Sequence, residues 1–240
     1  MRGTLGTNKY DSLQMHAEHR FAGGYQIATS YTFGKGLGYA NRVAIPYLYG
    51  LNYGPLGSDV RHSLHLTAVA EAPFGKGKRW LQSGPAAYIA GGWQVNGLLS
   101  AYTGTPFTVT ATATSLNAQF SSQTADCLRQ PENIGDINQW YDRTAFAPVT
   151  AARFGTCGTN NLYGPGLINV DLGVDRIFRI GERFQLKFRA EMFNAGNTPH
   201  RALPNANVNS GAFMQALAIQ NTGRDGIDER TFRFGLRLGW

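Results

Sequence analysis

The rhythm of apolar residues constrains this chain more than any other feature. Leu13, Met15, Ala17 and Phe21 share one parity, and Ser12, Gln14, His16, Glu18 and Arg20 share the other. Successive side chains of a strand point to opposite faces, so this two-residue period specifies a strand with one apolar and one polar side. After Ala22-Gly23-Gly24 the rhythm returns, with Tyr25, Ile27, Thr29, Tyr31 and Phe33 against Gln26, Ala28, Ser30 and Thr32. The two segments read as a hairpin. Further strands are predicted over about 59–72 and 92–102. Later, Ile168, Val170, Leu172 and Val174 oppose Asn169, Asp171, Gly173 and Asp175. Across a short Gly181-Glu182 turn, Leu186, Phe188, Ala190 and Met192 oppose Lys187, Arg189 and Glu191. The last segment sets Phe232, Phe234, Leu236, Leu238 and Trp240 against Arg233, Gly235, Arg237 and Gly239.

The connections add a second constraint, because short and long links alternate strictly. They are short after Phe21, Ala72 and Ile180, and long after Phe33, Tyr102 and Gly196. The long ones, 34–58, 104–165 and 197–228, are expected as loops, with strand-like alternation inside the second from Phe107 to Thr112. Trp80 to Ile89 is expected as a brief helical or irregular bridge. Transmembrane barrels have this plan, with short periplasmic turns and long outer loops. The expected fold is therefore all-β: an antiparallel transmembrane β-barrel segment of about 7–8 strands with long extracellular loops, in the bacterial outer membrane. Single-chain bacterial barrels have even strand numbers, so about seven strands imply an incomplete barrel. On this parity Tyr25, Tyr31, Phe33, Trp93, Phe232, Phe234 and Trp240 are candidate lipid-facing or interfacial aromatics. Asp171, Asp175, Lys187, Arg189 and Glu191 are candidate lumen-facing charges. The expected partner of the apolar side is outer-membrane lipid.

Composition agrees with strands and turns, since 30 Gly, 14 Phe, 11 Tyr and 4 Trp accompany only 15% charged residues. No stretch approaches 18 consecutive apolar residues, which excludes a membrane-spanning helix but not spanning strands. The net charge of +7 is scattered rather than gathered in one stripe, which argues against nucleic acid. Cys127 and Cys157 lie in one Gly/Thr/Asn-rich stretch, and an oxidising exterior would let them close it as a disulfide; the alternative is two unrelated thiols. The opening Met1-Arg2-Gly3-Thr4-Leu5-Gly6 lacks the apolar core of a secretory signal, from which residues upstream are expected.

Catalytic motifs are absent in recognisable form. Gly75-Lys76-Gly77-Lys78 lacks the spacing of a phosphate loop and is read as a basic interfacial turn. His16 with His19, and His62 with His65, are three apart, which on a strand sends them to opposite faces and disfavours a shared metal. No Gly-x-Ser-x-Gly elbow marks a nucleophile. The expectation is no enzyme activity, no cofactor and no metal.

Several stretches resemble, in order, the C-terminal barrel of TonB-dependent transporters of the Oar-like subgroup. They are Tyr10-Asp11-Ser12-Leu13-Gln14, Tyr31-Thr32-Phe33-Gly34-Lys35, Asp59-Val60-Arg61-His62 and Pro73-Phe74-Gly75-Lys76-Gly77. Further along stand Gly92-Trp93-Gln94-Val95-Asn96-Gly97, Gly104-Thr105-Pro106-Phe107-Thr108, Gly164-Pro165-Gly166, Asn169-Val170-Asp171-Leu172 and Phe188-Arg189-Ala190-Glu191-Met192-Phe193-Asn194. Asn197-Thr198-Pro199-His200 departs from the Asn-His-Pro run expected there. Phe234, Leu236, Leu238 and Trp240 resemble the C-terminal assembly signal read by the barrel-assembly machinery. The resemblance implies that residues 1–240 form the C-terminal part of a transporter barrel that takes up a small scarce solute. The TonB system would act only through N-terminal parts, the plug domain and TonB box, that this sequence does not contain. The alternatives are an adhesive or structural outer-membrane barrel without gated import, and a secreted soluble β-sandwich binding module.

Overall fold

The computed structural model describes residues 7–40, 46–112, 123–220 and 229–240. The opening Met1–Gly6, and parts of all three long connections, lie outside the described residues. Seven long strands follow the alternating segments: β1 Lys9–Ala22, β2 Tyr25–Tyr39, β3 His62–Glu71, β4 Trp93–Tyr102, β5 Leu167–Ile180, β6 Phe184–Phe193 and β7 Thr231–Gly239. Each pairs antiparallel with its sequence neighbours, so the sheet is an up-and-down meander, with the short strand Tyr53–Pro55 added to the outer end of β2. β1 and β7 stand at the two edges and are not paired to one another. The sheet is open.

Register keeps the two faces separate across the whole sheet. On one face Leu13 lies opposite Phe33, Tyr31 opposite Leu64, Leu66 opposite Leu99, Leu99 opposite Val170, Val174 opposite Ala190, and Ala190 opposite Phe234. On the other, Ser30 faces His65, His65 faces Ser100, Ser100 faces Asn169, Asp175 faces Arg189, and Glu191 faces Arg233. A one-residue slip at any pairing would mix them, so the alternation itself fixes the register. The tight first turn uses Gly23 and Gly24, both at positive φ, which suits the two-residue hairpin connection.

Three bounds differ from expectation. β2 runs on to Tyr39, past the end of the apolar rhythm, because Tyr53–Pro55 returns to pair with Leu37–Tyr39. β3 begins at His62 rather than near Asp59, whose carboxylate is used in the connection described below. The bridge between β3 and β4 contains one short helix, α1 Gly84–Ala90, with Pro85 in its first turn and no buried residue.

The location of the core is the main departure from a soluble fold. Among the described residues, Leu167, the first residue of β5, is the one buried apolar side chain that belongs to a long strand; the others lie in the long connections. Phe107, Val109, Tyr141, Phe146, Val149 and Leu162 come from the second connection, and Phe213 and Met214 from the third. Meanwhile Leu13, Met15, Tyr25, Phe33, Ile168, Phe232, Phe234, Leu236 and Trp240 are exposed. Seven strands at about 4.8 Å spacing make this bare apolar face about 30 Å wide. Soluble monomers rarely expose patches beyond roughly 300–600 Å². An apolar face of this extent needs a hydrocarbon neighbour.

Candidate functional site

Two regions concentrate polar chemistry: the polar face of the sheet, and a cap built from the long connections. The candidate charges Asp171, Asp175, Lys187, Arg189 and Glu191 all fall on the polar face by register. Arg189 pairs with Glu191 at 2.6 Å along the same strand, and Asn96 Nδ2 donates to Asp175 at 3.3 Å. Lys187 lies opposite Arg237, a like-charge juxtaposition that a wet face tolerates. Asp171 does something different: its Oδ1 accepts from Asn169 Nδ2 at 2.8 Å and from the Asn194 amide at 2.9 Å. Asn194, at φ 46° and fully buried, in turn exchanges two hydrogen bonds with Thr198. Asp171 therefore orients the chain as it leaves β6 for the third connection. His200, in the run that departs from the resembled pattern, is buried with Nε2 3.2 Å from the Ile168 carbonyl.

The candidate aromatics occupy the other face. Trp93 meets Phe178 and Phe188 edge-on at 6.3 and 5.9 Å, near the short-turn end. At the long-loop end Tyr31 donates its hydroxyl hydrogen bond to, or accepts one from, His62 Nδ1 at 2.7 Å, and Phe33 packs against the same ring. Tyr25 stacks on His19 beside the first turn, and Phe232 and Phe234 continue the row on β7, with Trp240 after its end. Rings thus gather toward both ends of the strands. His62 and His65 are held separately, the latter by Ser63 and Ser100. Among the described residues no cluster of three or more potential metal ligands occurs.

The cap was not legible as a folded body in the sequence. Second and third connections are laced by backbone bonds from Thr110 to Ala206, Val208 to Thr110, Trp140 to Met214 and Ala216 to Ile137, all between 2.7 and 2.9 Å. The first connection joins them, since Thr159 Oγ1 donates to the Leu51 carbonyl and Asn160 Nδ2 to the Pro55 carbonyl, each at 2.8 Å. Gly54 is required there, because a Cβ would overlap the Thr159 carbonyl oxygen. Cys127 and Cys157 are joined by a disulfide in this cap, 30 residues apart, with Cys157 in the apolar cluster. Beside it Arg153 grips Asp126 through both carboxylate oxygens at 2.7 and 2.9 Å. That grip, with the Thr156 amide, holds the Asp126 carboxyl below the usual carboxylate value.

The cap is stapled to the sheet by a buried carboxylate. Asp59 accepts from the Gly36 amide at 2.6 Å, from Tyr163 Oη at 2.8 Å and from Arg61 Nε at 2.9 Å. Arg61 also lies over the Tyr163 ring. Burial pushes the Tyr163 phenol up from its ordinary value, so it stays a neutral donor to Asp59. These contacts give Asp59 and Arg61, two residues of the Asp59-Val60-Arg61-His62 motif, a mechanical role.

An open, one-face-apolar antiparallel meander with short turns at one end and a folded cap at the other is the wall of a transmembrane β-barrel. Residues 1–232 match the family model described as an outer membrane beta barrel domain, and the chain belongs to that family. Its place is the bacterial outer membrane, with the long connections outside and the short turns in the periplasm. Comparisons with curated proteins and with solved structures give no match.

Proposed function

We propose that this chain is the C-terminal wall of a TonB-dependent transporter of the Oar-like kind, in which a scarce solute is captured at the external cap and admitted through the lumen. The observation that carries the reading is the polar face of the open sheet. Its edges β1 and β7 are not paired with each other, and unsatisfied edges cost several kcal/mol per backbone group in lipid. Additional strands therefore complete the barrel, and a wider barrel has room for a plug, as the large outer-membrane transporters do. In that setting Asp175, Lys187, Arg189 and Glu191 line the lumen against the plug or passing solute. The ordered set of motifs supports the same assignment, several of them serving as joints between sheet and cap. Lipid contacts the aromatic face, and the barrel-assembly machinery engages β7 through Phe234, Leu236, Leu238 and Trp240. No catalytic step is part of this function.

A second reading, an adhesive barrel without import, draws on the cap, whose packed core gives a partner-binding surface without requiring a gate. The two are separated in cells lacking the gene. Growth is compared on limiting iron chelates, cobalamin, oligosaccharides and peptides, with and without the inner-membrane energising protein. Transport predicts that at least one solute is taken up only when both the gene and the energising protein are present. Solute accumulation that persists without energy coupling, or no uptake defect on any of the four, would overturn it.

A further inference from the structure

Arg176 is the residue that the face assignment does not absorb. It lies opposite Trp93 and Phe188 on the apolar face, yet is 6% exposed. Its guanidinium sits among the Phe178, Trp93 and Tyr88 rings, at 4.2, 5.4 and 5.5 Å from their centres. Two of its nitrogens donate to the Tyr88 and Ile89 carbonyls at the end of α1. Its Nε is buried without a hydrogen-bond partner. Among the described residues no carboxylate pairs with it: neighbouring Asp175 is on the opposite face, and Glu71 is held by Lys78 on that face. A buried cation without a counter-charge is costly.

The surroundings are those of a water–hydrocarbon boundary at the periplasmic end. An open cleft of about 450 Å³ lies between the turn after β3 and α1, lined by Phe74, Lys76, Ser83, Tyr88, Gly92 and Arg176. Lys76 and Arg79 have no ion-pair partner among the described residues, and Arg79 lies over the Trp80 ring. Trp80, Leu81, Tyr88 and Ile89 expose apolar surface on the same segment. Basic side chains interleaved with exposed aromatic and aliphatic ones match a lipid surface, whose phosphates lie at the level where aromatic belts form.

We propose that this cleft is a headgroup site for an anionic phospholipid of the periplasmic leaflet, with its phosphate as counter-charge to Arg176 and Lys76 and its acyl chains against Tyr88, Ile89 and the aromatic face. The site rests on membrane location alone and is independent of whether the barrel imports anything. It also gives α1 a purpose: pinned by Arg176, the helix forms one wall of the cleft and lies along the membrane surface.

The test uses the protein extracted from its native outer membrane in mild detergent, with native mass spectrometry and thermal unfolding as readouts. Probes are dioleoyl phosphatidylglycerol, dioleoyl glycerol with the same chains and no phosphate, and inorganic phosphate. Phosphatidylglycerol should be retained as a discrete adduct and raise Tm, while the other two do neither. Lys76 is exposed, so Lys76→Glu should fold normally and weaken phosphatidylglycerol binding by ~10-fold or more, as expected for losing a charge-assisted contact and gaining a repulsive one. Arg176→Gln should abolish the adduct, with folding checked by resistance to heat in electrophoresis. Equal retention of dioleoyl glycerol, unchanged binding in Lys76→Glu, or stabilisation by phosphate alone would each overturn the assignment.

Discussion

Substituting Leu236 by arginine tests the membrane reading most directly, because its neighbour Arg237 supplies an internal control. Leu236 is 71% exposed on the apolar face and lies opposite Phe188. Trp240, just after the end of β7 and exposed, is the residue that the alternation predicts as the periplasmic interfacial anchor, and it serves as the reference level. Four residues at about 3.3 Å, on a strand tilted by about 40°, place Leu236 about 10 Å above it. That is near the middle of an apolar band about 25 Å tall, where arginine costs about 2–4 kcal/mol. Leu236→Arg should therefore destabilise the complete barrel by about that amount, measured by urea unfolding in lipid vesicles. Arg237 lies opposite Lys187 on the polar face, so Arg237→Gln relieves a like-charge pair and should change stability by no more than about 0.5 kcal/mol. In a soluble sandwich an exposed leucine would accept arginine with equally little effect, so comparable values for the two variants would refute the reasoning.

Three other expectations concern the cap. Met214 is 0% exposed at the meeting of the second and third connections, so Met214→Ala should loosen the cap by about 2–5 kcal/mol. Limited proteolysis of the outer loops should register it while strand cleavage stays unchanged; equal protection would show that the cap is not a cooperative body. Opening the Cys127–Cys157 bridge, which spans 30 residues, should cost the cap about 3–4 kcal/mol on the loop-entropy model, and mass measurement with and without reductant should show the two-hydrogen difference. Free thiols in protein taken from the cell surface would contradict it. Asp126 and Asp142 are both held below the ordinary aspartate value of 3.8, the first chiefly by Arg153 and the second chiefly by the Thr144 hydroxyl and amide. Groups depressed in the folded state stabilise it fully above their unfolded value and lose that contribution as pH falls through the lower folded one. Cap protection should thus decline below about pH 4, and Asp126→Asn should shift less over that range; an identical acid profile would refute the assignment.

The alternation was strong enough to give both faces and most strand bounds because a period of two has a single structural meaning once one side is apolar. It failed where pairing partners are distant. Leu37–Tyr39 reads as loop, since Gly34, Gly36 and Gly38 break the rhythm, and the returning Tyr53–Pro55 makes it strand. Arg176 interrupts the apolar parity inside β5, and nothing local shows that the Tyr88 and Ile89 carbonyls come to meet it. Asp171 reads as one more charge on the polar side, whereas its work is to hold Asn194.

By itself, the order of residues determined an amphipathic antiparallel wall with alternating short and long links, because face and turn length are local properties of consecutive side chains. The tertiary structure alone decided that the long links fold into one capped body around Met214 and Phe213, and that a guanidinium sits within the aromatic layer. Both depend on contacts between segments tens of residues apart, and the closure of such contacts is governed by packing and hydrogen bonding that no local period encodes.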